Sequence, residues 1–257
     1  MTESDFPPPP PSVPRRRFSR RLALALVLAA AGLVVGLVGV IKVLGYRTFD
    51  DDRTEMAATM PVSGKAIVSP VSPTALHRGD IIVFDMSAYP GGKNSGSTMK
   101  RVIGVGGDTV ACCDAGTRLT VNGEAVTEDY IRPAGYADRE FSVKVPDGTV
   151  FAAGDQRDDS RDSRTYVTAP GSGGIPLDKV TGVVVGAGNI FSAQALDPTR
   201  AFTDAGLPGV PLRDTGYRTG SWFLIGGLAV FVVALIAAIV LRSTGRRRTA
   251  GEDPPAR

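Results

Sequence analysis

The chain of 257 residues is 43% hydrophobic and 21% charged, enough for one folded domain of ordinary size plus membrane-crossing segments. Its formal net charge of +3 comes from arginine clusters that flank the apolar stretches without interleaved aromatics, which argues against nucleic acid as a partner. A single histidine and two adjacent cysteines make a poor metal-ligand set, and no cofactor is implied.

Residues 1–20 contain the run Pro7 to Pro11 followed by Arg15, Arg16 and Arg17; such a composition builds no core and reads as a disordered or polyproline tail. Residues 21–45 read as a transmembrane helix. From Leu22 to Leu44 no charge occurs before Lys42, and the stretch is long enough to cross a hydrocarbon core about 30 Å thick. A secretory signal peptide also opens with basic residues, but its apolar core is roughly 7–15 residues and ends at a small-x-small cleavage site. This run is longer and lacks that ending, so an uncleaved anchor is expected.

Residues 46–194 alternate short β-branched runs with turn signals. "DIIVF" (Asp80 to Phe84), "RVIGV" (Arg101 to Val105), "SVKV" (Ser142 to Val145) and "GVVVG" (Gly182 to Gly186) read as strands. Asn122-Gly123 and Asp147-Gly148, each between alternating residues, predict two hairpins. No long amphipathic helix competes, so the expected fold is mainly β, an open or barrel-like sheet. Residues 195–220 are rich in Pro, Gly and Asp and read as a linker. A second charge-free apolar run, with Trp222 at its edge, places a transmembrane helix at 221–242, followed by a basic tail at 243–257. Arg15, Arg16, Arg17, Arg20 and Arg21 precede the first span, and Arg242, Arg246, Arg247 and Arg248 follow the second. The positive-inside rule then makes both termini cytoplasmic and the domain between the spans extracytoplasmic. Cys112 and Cys113 could close only on each other as a strained vicinal bridge, so a reduced or externally paired state is expected, with no role assigned.

Two stretches carry chemistry. In "STMKRVIGVGGDTV", Lys100 is either a charged flank of a buried strand or a lysine in an apolar site, where a lysine deprotonates easily and acts as a general base. In "AGDQRDDSRDSRTY", from Ala153 to Tyr166, aspartates and arginines interleave. The stretch is either a solvated loop or a paired, hydrogen-bonded platform.

"KRVIGVGGDTV" followed by "GDQRDDSRDSR" resembles the two downstream boxes of the type I signal peptidases, bacterial membrane-anchored serine endopeptidases that remove signal peptides from exported proteins. "HRGDIIVF" resembles the strand box before the lysine, and the likeness covers roughly 47–191. It implies a signal-peptidase-like β ectodomain between two transmembrane helices, partnered by the lipid bilayer and by the signal peptides of exported precursors. It also implies a Ser/Lys dyad with no metal: Lys100 as general base, Ser160 orienting its amine, and Asp155, Arg157, Asp162 and Arg164 bracing the loop, the first two and the last two as pairs.

The nucleophile box departs from the family pattern Ser-Met-x-Pro-Thr-Leu. In "EMAATMPVSGKAIV", Met56 and Thr59 match, but Glu55 holds the serine position and Ala58 the proline position, while Arg53 sits where the family has a small residue near the oxyanion site. An alternative alignment on "SPTALHRGD" recovers Pro-Thr and Gly-Asp but loses the methionine and uses up the strand box. Three readings follow: an active peptidase with a displaced nucleophile (Ser63, Ser69 or Ser72), an inactive pseudopeptidase that binds substrate or regulates, and an envelope scaffold. The intact second box disfavours the scaffold. A carboxylate at Glu55 close to Lys100 would hold the amine protonated, the opposite of what a base needs.

Overall fold

The computed structural model describes residues 20–50, 54–60, 65–70, 76–92, 96–131 and 140–250, side chains of 245–250 excepted. The described residues fall into two compact units: 20–38 with 223–250, and those between 39 and 222.

The first unit is made of the greater part of helices α1 (Arg20–Val43) and α3 (Gly216–Ala250), both long and apolar enough to cross a membrane. Their leucines, valines and isoleucines point outward, whereas Ala25, Ala29, Gly32 and Gly36 of α1 and Gly227, Ala234 and Ala238 of α3 are buried. The spacing of four and three brings these small residues onto one seam, where backbones can approach closely and dispersion replaces the missing hydrophobic drive. At Gly227 an added Cβ would collide with the Gly36 nitrogen and lie 2.7 Å from the Gly32 carbonyl oxygen.

The second unit is a curled antiparallel sheet with a smaller sheet beside it. Its strands are β1 (Arg47–Asp50), β2 (Lys65–Ser69), β3 (Ile81–Asp85), β4 (Ser97–Val105), β5 (Thr109–Cys112), β6 (Leu119–Val121), β7 (Glu124–Ala125), β8 (Phe141–Lys144), β9 (Thr149–Ala153), β10 (Ile175–Pro176), β11 (Val180–Ala187) and β12 (Gln194–Ala195). The larger sheet runs β1-β2-β11-β3-β4-β9-β10, with β12 on β11, and the smaller runs β7-β6-β5-β8. Register shifts in β4 and β11 bend the large sheet into a half-barrel. With the two helices at either end, the chain is a two-pass membrane protein whose β domain is extracytoplasmic.

Asn122-Gly123 makes the expected hairpin, joining β6 to β7 with both φ values positive, at 55° and 88°. Asp147-Gly148 does not. β8 pairs with β5 in the small sheet and β9 with β4 in the large one, so this turn passes the chain between sheets instead of folding a strand back on its neighbour. The segment 195–220 is more than a tether: α2 (Ala201–Asp204) buries Phe202 against Ile103, Val110 and Phe151 between the sheets. Beyond α2, the Pro208 carbonyl accepts from Arg78 at 2.8 Å and the Leu212 N–H donates to Asp80 at 2.7 Å. A third cluster, including Met56, Met60, Val83, Met99 and Val184, lies under the site described next. Cys112 and Cys113 are joined to each other, which corrects the expected reduced or externally paired state.

Candidate active site

Lys100 lies in the middle of β4, opposite Ile82 of β3, and its side chain is 0% exposed. Alternation along the strand puts Thr98 and Lys100 on one face and Arg101 on the other. Facing Lys100 is a 3-10 turn, Thr54–Met56, anchored by fully buried Met56 and by the Gln156 N–H, which donates to the Glu55 carbonyl at 2.9 Å. The Glu55 carboxylate reaches inward. Its Oε2 accepts from Lys100 Nζ at 2.6 Å and from Thr98 Oγ1 at 3.1 Å, and its Oε1 from the Arg161 N–H at 3.2 Å.

Lys100 Nζ also donates to the Met99 carbonyl at 3.1 Å and to Thr98 Oγ1 at 3.3 Å. An ammonium has three protons to donate and no lone pair, whereas a neutral amine has two protons and one lone pair. Acceptors gathered around Nζ, a carboxylate among them, fit the ammonium. A side chain buried in this way is held by its partner, since a lone buried cation is costly.

The second box wraps the pair from β9 onward. Gly154 is obligatory by close approach, for an added Cβ would clash with the Ser160 hydroxyl and lie 2.7 Å from the Glu55 carbonyl oxygen. Ser160 Oγ donates to Asp162 at 2.8 Å, as does the Gly154 N–H at 3.0 Å. Asp162, fully buried, takes a two-point contact from Arg164, Nε at 2.9 Å and a terminal nitrogen at 2.8 Å. Burial alone raises the Asp162 carboxyl, but the Arg164 guanidinium, the Gly154 N–H and the Ser160 hydroxyl outweigh it and hold the group below its ordinary range.

Asp155 and Arg157 were expected as a pair, yet each takes its two-point partner from elsewhere. Asp155 accepts from Arg101 at 2.9 and 2.7 Å, with Thr59 donating to it as well. Arg157, buried, grips Glu128 and sends its Nε to the Gly154 carbonyl at 2.7 Å. Tyr130, between the two pairs, stacks 4.1 Å from the Arg101 guanidinium, and burial pushes its phenol well up, so it stays protonated. Among the candidate serines, Ser69 ends β2 and donates to Asp214 at 2.9 Å. Ser63, Ser72 and Arg53 lie outside the described residues.

Sequence reasoning passed over Thr98, Arg101, Glu128 and Tyr130. Strand alternation from Lys100 could have found Thr98, and the charge next to Lys100 marked Arg101. Glu128 and Tyr130 carry no local signal, because their partners lie about thirty residues away along the chain.

An antiparallel half-barrel between two apolar helices, with a buried strand lysine backed by an ion-paired Gly-Asp loop, defines the class: the bacterial membrane peptidases of the signal peptidase fold. The chain matches the family model described as signal peptidase, peptidase S26, over residues 23–187, and it belongs to that family. It is 30% identical over 166 residues to Signal peptidase I U of Bacillus subtilis (strain 168), covering 61% of this chain and 82% of that one. To the probable signal peptidase I of Mycobacterium leprae (strain TN) it is 38% identical over 128 residues, 37% of this chain and 44% of the relative. A crystal structure of a signal peptidase I from Enterococcus faecalis is 30% identical and covers 45% of this chain and 99% of that one, with a TM-score of 0.34.

Proposed function

We propose that this chain is a non-hydrolytic member of the signal peptidase family, a membrane-bound module that engages the signal-peptide end of exported precursors without cutting it. One observation carries the reading: the Glu55 carboxylate, in the family's serine position, lies 2.6 Å from Lys100 Nζ. A Ser/Lys mechanism needs a hydroxyl to attack and an unprotonated amine to take its proton. Here the attacking group is replaced by a carboxylate, and the charge-assisted hydrogen bond keeps the proton on the amine. The ion pair at the same time satisfies the buried lysine and supports the surrounding fold. The relatives' description as signal peptidases supplies the ligand class, the signal peptides of exported precursors, whose cleavage sites end in a small-x-small pattern.

The test uses the full-length chain in detergent micelles, with a small-x-small precursor peptide and a serine-directed acylating inhibitor. The unmodified protein is expected to bind the peptide, to leave it intact and to form no covalent adduct. Glu55→Ser is expected to gain adduct and partial cleavage, limited by Ala58 in the proline position and by Arg53. Cleavage by the unmodified protein that disappears in Ser63→Ala or Ser72→Ala would make it an ordinary peptidase with a displaced nucleophile. Absence of peptide binding would remove the proposed role altogether.

A further inference from the structure

The chain's two cysteines are unused by the site above, yet they border it. Cys112 ends β5, opposite Leu119 of β6 and Phe141 of β8. It lines a cleft of about 500 Å³ whose other wall carries Ser160, Arg164, Thr165 and Val167, from the loop that packs on the Glu55–Lys100 pair. Cys113, bonded to it, is exposed. Beyond them the chain turns tightly: the Asp114 N–H donates to the Arg118 carbonyl at 2.9 Å, and Arg118 returns a two-point contact to the Asp114 carboxylate. This closed turn leaves Cys113 presented to solvent.

A disulfide stabilises a fold by removing freedom from the unfolded chain, and the effect grows with the length of the loop it closes. Between neighbouring residues there is no loop to close, so this bond is no structural staple. Exposed disulfides without that function are the exchangeable ones. Its setting is extracytoplasmic, where disulfides form and persist, so the bonded form is the resting one.

We propose that Cys112 and Cys113 form a reversible thiol–disulfide exchange site for an extracytoplasmic dithiol, and that its redox state reshapes the cleft beside Ser160. In the forward step a thiolate of the dithiol attacks Cys113 Sγ, and Cys112 leaves as a thiolate that takes up a proton. The dithiol's second thiolate then attacks its own sulfur in the mixed disulfide, releasing the Cys113 thiolate, which is protonated in turn. The dithiol is oxidised to its disulfide, and this chain is reduced to two thiols. The proposal is independent of whether the Glu55–Lys100 site turns over.

The experiment takes the full-length chain, prepared in air in non-ionic detergent micelles, with dithiothreitol as the dithiol probe. Alkylation by N-ethylmaleimide followed by intact mass should give no adduct before reduction and two after it. Oxidised dithiothreitol should restore the unreactive form. The thiol left in Cys112→Ser should be alkylated at least about tenfold faster than that left in Cys113→Ser, because Cys113 is the exposed partner. Hydrogen exchange should quicken on reduction in residues 157–168, across the cleft, and stay unchanged in β11. Two adducts without any reductant, or none after it, would overturn the exchange site. Exchange in 157–168 that ignores reduction would overturn its link to the cleft.

Discussion

Asp162 is the residue through which the second box holds together, and Asp162→Asn tests it with almost no change of shape. Its carboxylate is fully buried and accepts from the Gly154 N–H, the Ser160 hydroxyl and three groups of Arg164. An asparagine offers one oxygen and a donating NH2, so whichever way it lies, donors on one side face a donor. Breaking a buried ion pair costs about 3–5 kcal/mol. The Arg164 side chain keeps 15% exposure, so water softens the loss, and about 3 kcal/mol is expected. For a unit of this size that is a fall in Tm of about 6–12 °C, to be read by thermal unfolding of the full chain in detergent.

The pH dependence of Asp162→Asn gives a second, independent check. The folded carboxyl lies below its unfolded value. Its stabilisation is therefore fully present above the unfolded pKa of about 4 and is lost as pH falls through the folded value. Asp108, also held low, against burial, by Arg78, the Val105 N–H and Asn122, weakens both proteins alike in acid. The gap between native and variant should thus narrow below about pH 4. A gap that persists unchanged at lower pH, or the absence of any gap at pH 7, would refute the reasoning.

Glu128→Gln should leave the buried Arg157 guanidinium without its carboxylate and destabilise the domain by about 3–5 kcal/mol, measured by the same unfolding; near-neutral behaviour would mean that Glu128 does not hold this arginine. Gly154→Ala places a methyl against Ser160 and the Glu55 carbonyl, and should cost about 1–3 kcal/mol while displacing the turn that carries Glu55; a crystal structure with an unmoved Glu55 would count against it. Gly227→Leu should force α1 and α3 apart where they meet at Gly32 and Gly36, abolishing a disulfide cross-link engineered between the two helices, while a surviving cross-link would deny the small-residue seam.

Local signals were legible in the sequence, and long-range pairings were not. Both spans followed from uninterrupted apolar runs, since about twenty such residues satisfy their own backbone in lipid as a helix whatever else the chain does. Asn122-Gly123 announced its hairpin because a two-residue turn with positive φ is a property of those residues themselves. Asp147-Gly148 carried the same signal and misled, because a turn fixes where a chain bends, and only sheet registry fixes which strand it meets next. The second box was readable as an ion-paired loop, and the pairing of Asp162 with Arg164 lies within its own span. The partners of Asp155 and Arg157 are Arg101 and Glu128, on β4 and near the small sheet, 54 and 29 residues away. Residues 195–220 read as linker because proline, glycine and aspartate dominate them, yet one phenylalanine, Phe202, finds a hydrophobic slot between the sheets. A slot of that kind exists only once both sheets have formed, so no stretch of sequence could have declared it.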